Sequence, residues 1–532
     1  MITVVSTPPL VAITGNPVRW KLSTNNVVET AGALATMTIT FPDRGFEYFG
    51  DAFTLSWGVL SIRFACKAVP DNSGNEISDG SNAADLNGWV ALIATEVQGN
   101  YYINRDFVVT SNENTLILTA RTAGSVYSLA LSHEFSDHYP TEVHTSGSDE
   151  TRRSFFKIGL QVLLKLEGTW TQIGEDILPV DDSLQASFDI HRLFADRVHP
   201  EFKFPEASDQ IIIERSFHCM EYKVRYFEQF GNPISPQKPT ESCSFYILAA
   251  GISHLQEAIY NRQGFSLWDK LGYNQYFLTW SPKDKLIDRW TTEKLYYLVR
   301  TSLSSICLKV EVHYNDETPT ETLTKATVFS PVDKAVYEVG CSLNVLQLPG
   351  YDADTIDYYK VWIEDGSSNR ISEIRTFRID YSYHEDIRQF LFVNSLGGYD
   401  TLRTTGDVED FLELERTTVQ KILGPDFTER HHAIAQNIVR EAQTYSANTG
   451  WLTREQVSWI RDFFLSKQVY QLIAGKLVPV LITSTQGKLR RDREDIFSID
   501  FEYRRAFANE YYTKELIPVE FNNDFNDDFA NE

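Results

Sequence analysis

Histidine and carboxylate clusters carry the first chemistry to weigh. The segment SHEFSDHYPTEVH sets His133, His138 and His144 among Glu134, Asp137 and Glu142. Neutral imidazole and carboxylate together can hold zinc or another divalent ion. The intervals match no recurrent zinc motif, so the expectation is a polar inter-domain connector with no bound metal. His431 and His432 are adjacent; on a helix their side chains would diverge by about 100°, too far to grip one ion. Asp352, Asp354, Asp357, Glu364 and Asp365 crowd one stretch. A glycosidase needs two facing carboxylates roughly 5–9 Å apart, but these five read as the solvated edge of a sheet. GxSxG, HExxH and P-loop patterns are absent from the chain, which removes three common routes to catalysis. No catalytic residue and no cofactor are expected, and a glycan-degrading enzyme is the least favoured of the functional readings.

Aromatic residues are the stronger signal. The 532 residues include 33 Phe, 26 Tyr and 10 Trp against 3 Met, a balance that suits strands and protein interfaces. Pairs stand at Tyr101-Tyr102, Tyr296-Tyr297, Tyr358-Tyr359 and Tyr511-Tyr512, with a further run at Tyr273–Phe277. Such residues pack sheets, anchor partners or bind sugar faces, and all three uses stay open. At the C-terminus, Phe521, Phe525 and Phe529 recur every four residues among Asn and Asp. So acidic a peptide has too little apolar area to fold alone. With Tyr511 and Tyr512 these phenylalanines are the expected partner-docking residues, on an arm that orders against a neighbour.

Bulk properties narrow the class. A net charge of -24 opposes nucleic-acid binding, which needs clustered Lys and Arg, and opposes docking on an anionic membrane. Cys66, Cys219, Cys243, Cys307 and Cys341 are scattered and odd in number, so free thiols are expected rather than a disulfide or zinc framework. The opening MITVVSTPPLVAITG lacks the basic-then-apolar order of a secretory signal. No window holds about 18 uninterrupted apolar residues.

The elements that must position these residues are mostly strands. Met37, Ile39 and Phe41 alternate with threonines, the period of a half-buried strand. Leu86, Trp89, Val90, Ile93 and Val97 are spaced as a helix. Residues 1–145 are expected to form a β-rich unit with one helix, and 156–300 a second β unit. Residues 301–383, with five short strands separated by turns, read as an immunoglobulin-like or fibronectin-type-III-like sandwich. Residues 384–510 read as an α+β domain and 511–532 as the acidic arm. Within 384–510, Phe390–Val393 is an expected strand, Asn394–Gly398 a turn, Tyr399–Arg403 a resumed extended stretch and Val408–Glu415 a second strand. Glu429–Thr444 is an expected amphipathic helix from the spacing of Ile434, Ile438, Val439 and Ala442. Thr453–Ser466 is a second helix, opened by a Thr453/Gln456 capping box. The fold class is therefore mainly β, several small β-sandwich or barrel-like domains in series.

The stretch FLFVNSLGGYDTLRTTG (390–406) resembles a segment of tail and baseplate proteins of phages and prophages of Bacteroidetes-type bacteria. NTLILTARTAGSVYSLAL, with Thr115–Arg121, Gly124 and Tyr127, resembles a module of phage sheath and baseplate proteins. FLTWSPKDKLIDRWTTEKLYYL and the closing FSIDFEYRRAF are similar to the same group. The resemblance implies a structural virion protein: a tail, baseplate or collar ring component, assembled in the host cytoplasm. It implies copies in a cyclic ring and contacts to other tail proteins, without nucleic acid or membrane and with a host-surface glycan as an additional ligand. The alternative is a surface or secreted β-sandwich adhesin or carbohydrate-binding protein.

Overall fold

The structure is a computed structural model, and it describes residues 2–42, 51–68, 75–78, 83, 85–135, 139–201, 211–262, 276–350, 354–385, 387–473, 475–484 and 497–507. The chain is 50% strand and 11% helix, in many small sheets, so the mainly β class holds. Among the described residues, four apolar cores built on their own sheets and a fifth cluster that joins three of them organise the fold.

In the first, Thr36–Thr40 lies between Thr141–Thr145 and Thr115–Ala120, with Phe107–Asn112 outermost. A second sheet runs Ala130–His133, Ala52–Trp57, Leu60–Lys67, Glu76–Ser78. The helix Leu86–Gly99 buries Trp89, Val90, Ile93, Ala94 and Val97, the stripe its spacing predicts. Asp85 caps it by accepting from the Gly88 N–H. Trp89 meets Phe41 edge-on at 5.1 Å.

The second core is discontinuous in sequence. Val11–Ile13 pairs in parallel with Phe245–Leu248, and Arg19–Thr24 lies between Ile2–Ser6 and Gln185–Asp189. Ala12, Trp20 and Leu22 are therefore buried with Ile158, Leu160, Tyr222 and Ile247, not with the core of residues 35–135.

The third core is a two-sheet sandwich. One sheet runs Asp284–Ile287, Arg375–Ile379, Ile356–Asp365, Ser305–Tyr314, Glu321–Phe329; the other runs Ile212–Arg215, Val336–Gly340, Lys294–Leu298. Strands from before residue 301 thus complete the sandwich. Residues 276–279 are irregular, although Phe277 and Leu278 are buried.

The fourth unit is a seven-stranded sheet ordered Tyr399–Thr404, Arg388–Val393, Val469–Ile473, Lys476–Ile482, Asp500–Arg505, Ile434–Asn448, Val408–Gln420. The helix Arg454–Leu465 packs Val457, Trp459, Ile460 and Phe463 into its core. It carries the expected capping box between Thr453 and Gln456. The expected helix at Glu429–Thr444 is absent. Ile434–Asn448 is instead a strand paired along its length with Val408–Gln420. Long-range pairing overrides the local helical preference of Ala, Arg, Glu and Gln there.

Candidate interaction surface

Most side chains singled out by type turn out to be structural. His133 lies on a strand paired with Phe53, its ring against Phe135 and Tyr139. His144 is exposed on a neighbouring sheet. His138 and Asp137 lie outside the described residues. Among the described residues no group of three or more His, Cys, Asp or Glu is arranged to hold a metal. The carboxylates are dispersed. Asp354 pairs with Arg289, Glu364 with Lys309, and Asp365 accepts from the backbone of Ser367 and Asn369; Asp352 lies outside the described residues. Tyr296, Tyr297 and Tyr359 are buried, and Tyr358 stacks on His313 at 4.2 Å. Of the pairs, Tyr101-Tyr102 is exposed. Tyr511, Tyr512, Phe521, Phe525 and Phe529 lie outside the described residues, as does Tyr273.

Two other features stand out. The first is the turn Asn394–Gly398, which is a plug rather than a surface loop. Leu396 is buried beside Val11, Leu248, Ala250, Leu278, Tyr296 and Val336, so it joins three of the units described above. Backbone bonds hold it: Gly251 N–H donates to Ser395 O at 2.7 Å, and His218 Nδ1 meets Gly397 O at 2.9 Å. Gly397 has φ +87, and a Cβ there would lie 2.3 Å from Ala249 O. A Cβ on Gly398 would lie 2.7 Å from the Tyr296 ring. Only glycine lets the two backbones approach this closely.

Around the plug runs a buried polar network. Asn394 Nδ2 donates to Leu278 O and Asp400 Oδ1. Its Oδ1 accepts from the backbone of Leu396 and Gly398. Asp400 Oδ2 accepts from Thr279 Oγ1 and Trp459 Nε1, each at 2.8 Å. Lys285 donates to Thr401 O and pairs with Glu293, both at 2.6 Å. Burial pushes the Glu293 carboxyl up to about 7 against the pull of Lys285. Burial likewise lifts Asp462 to about 6, although it accepts from Ser395 N. Next door Glu338 takes Arg215 at 2.7 Å and Lys294 at 2.5 Å. Burial raises its carboxyl, but the two cations outweigh that and leave it below the ordinary range. Burial also lowers His218, keeping the imidazole neutral as it stacks on Tyr296. Densely bonded buried networks of this kind fix geometry, although Arg215 Nη2 and Glu293 Oε1 have no hydrogen-bond partner among the described residues beyond the ion pair of Glu293 with Lys285.

The second feature has the opposite character. Val408–Gln420 is the outermost strand of the seven-stranded sheet, and Ile434–Asn448 is bonded to Asp500–Arg505 only over Thr444–Asn448. Leu412–Gln420 and Ile434–Gln443 therefore run on as a two-stranded ribbon for roughly 30 Å at strand rise. At its base the ribbon is core: Tyr445 and Ala447 are buried and Val408 packs beside them. Alternation puts Asp410, Leu412, Leu414 and Arg416 on that same face. Yet Leu412 is 62% and Leu414 44% exposed, and Phe411, Val419, Ile422, Phe427 and Ile434 are exposed as well. An isolated two-stranded ribbon is marginal in water, and an open edge invites another strand. The signal for it was present in the sequence: Gly424-Pro425 stands between two long runs able to pair, which reads as a hairpin.

No family model and no curated protein matches the chain. Among solved structures, the crystal structure of trypsin-activated alpha-2-macroglobulin from Escherichia coli aligns with 94% of this chain at 8% identity and a TM-score of 0.14. The chain spans 28% of that protein's length, and a likeness this slight carries no argument about fold or function.

Proposed function

We propose that the chain is a structural assembly protein, a tail, baseplate or collar component of a phage virion that works by protein–protein contact and not by catalysis. The observation that carries this reading is the ribbon: Leu412 and Leu414 lie on a face continuous with a core and stay exposed, with no other strand over them among the described residues. Exposing Leu412, Leu414 and Phe411 in water forgoes about 1.5–3 kcal/mol each in burial, which a docked neighbour would recover. The resemblance of residues 390–406 to tail proteins supports the same class, and the buried plug those residues form suits a part that must be rigid under load. Neighbouring copies in a ring and adjacent tail proteins are the proposed partners, and the virion tail is the proposed location. Of the aromatics that a glycan-binding alternative would use, Tyr296, Tyr297 and Tyr359 are buried, while Tyr101, Tyr102 and Tyr276 are exposed.

The test is incorporation. A chain shortened by replacing residues 412–443 with a tight turn should fold and fail to enter particles or tail fragments. The full chain should co-purify with them and be inert toward glycan, peptide and ester substrates. Turnover abolished by a single Asp or Glu substitution would defeat the proposal.

A further inference from the structure

Resting on the reading of the ribbon as an assembly element, we infer that its outer strand pairs edge to edge with the same strand of a second copy across a two-fold axis at Glu413. The strand Val408–Gln420 bonds to Ile434–Asn448 on one side and is the terminal strand of its sheet on the other. Its outward amides and carbonyls face no strand among the described residues. A second copy can meet it antiparallel, the arrangement a two-fold axis perpendicular to the sheet produces.

The side chains favour one register. With Glu413 on the axis, Asp410 stands opposite Arg416 of the second copy, Leu412 opposite Leu414, Leu414 opposite Leu412 and Arg416 opposite Asp410. The face that continues the core thus reads Asp, Leu, Leu, Arg and is its own complement. Two cross-strand ion pairs bracket a cluster of four leucines. Every pair joins residues of like parity, so outward amides meet outward carbonyls along the ladder. Two marginal ribbons become one four-stranded sheet with four leucines at the centre of one face, past the three strands that such structures need.

The overall charge of -24 opposes indiscriminate self-association, so a self-contact must bring its own complementarity, and this strand does. On the opposite face the register sets Phe411 against Glu415 and Glu413 against its own copy. That last pair is repulsive and makes the contact weaker than it could be. A two-fold contact leaves the head-to-tail contacts of a ring to other surfaces.

Charge reversal tests the pairing on the full chain by sedimentation. Wild type should sediment as a concentration-dependent dimer. Asp410→Arg and Arg416→Asp each set like charges opposite one another twice per dimer, and each should weaken dimerisation by about tenfold or more. Mixed together, the two variants restore both ion pairs and should form a heterodimer near wild-type strength. Glu413→Gln should tighten the dimer several-fold. Because both reversals lie on exposed positions and are read out by mutual rescue, misfolding cannot mimic success. A monomeric wild type, or a mixture no tighter than either variant alone, overturns the pairing; the assembly reading is tested separately by incorporation of the ribbon-deleted chain.

Discussion

The plug at Asn394–Gly398 and the ribbon at Val408–Asn448 belong to the same seven-stranded sheet and break opposite rules of burial. The plug and the strand that leaves it carry Asn394 and Asp400 at 2% and 5% exposure, polar groups where apolar ones are the norm. The ribbon carries Leu412 at 62%, an apolar group where polar ones are the norm. The plug tolerates its polar residues because each has partners within 3.0 Å. It is finished inside one chain. The ribbon has no such completion among the described residues, and its exposed leucines make physical sense with something added. A saturated polar site marks where a molecule is closed; an uncovered apolar one marks where it is open.

The largest expected effect strikes the plug. Gly397→Val adds side-chain atoms where even a Cβ would meet Ala249 O, at a backbone angle that a β-branched residue adopts only under strain. We expect a loss of about 3–5 kcal/mol, read by denaturant unfolding, or an insoluble chain. A loss below about 1 kcal/mol would mean that the plug shifts freely, and the contrast with the ribbon would fail. Next comes Asp400→Ala. It leaves Trp459 Nε1, Thr279 Oγ1 and Asn394 Nδ2 short of an acceptor in the interior. Unmade buried hydrogen bonds of this kind cost about 2–4 kcal/mol together. Asp400→Asn should cost less, since it keeps one carbonyl acceptor.

How far these features were legible differs by mechanism. Alternation at Met37 and Ile39, the apolar stripe of Leu86–Gly99 and the Thr453/Gln456 box are local, and their elements stand where the spacing put them. The Asn394–Gly398 turn was legible as a turn. Its burial was not, because Leu278, His218 and Gly251 come to it from more than 100 residues away. The same holds for Val11–Ile13, whose partner strand begins at Phe245. At Ile434–Asn448 a helical spacing competed with a strand, and the strand won through its partner Val408–Gln420, which no reading of residues 429–444 alone could weigh.

A third, smaller effect probes the plug's electrostatics. Glu293 has its folded-state carboxyl raised to about 7 from an ordinary 4.5, because burial disfavours its charge. A raised acid holds its proton longer folded than unfolded, so its contribution is full below about pH 4.5 and is lost as pH rises through about 7. Glu293→Gln cannot ionise. Its stability relative to wild type should therefore climb with pH across that window, by roughly 1–3 kcal/mol once relaxation around the buried charge is allowed for. A flat difference would show that Lys285 fully compensates the ionised carboxylate.

The smallest effect is expected in the ribbon, and its smallness is the point. Leu412→Ser with Leu414→Ser removes two leucines from a face continuous with Tyr445 and Ala447. If the leucines served the fold, the double variant should lose several kcal/mol, as core truncations do at about 2–5 kcal/mol each. They are largely exposed, so the unfolding free energy at low protein concentration should move by no more than about 0.5 kcal/mol. The same variant should fail in dimerisation and in incorporation into particles, where those side chains are to be buried. A large stability loss at low concentration would show that the ribbon packs on its own chain and that the two regions are both closed. An unchanged stability with unchanged assembly would show that the exposed leucines serve no partner.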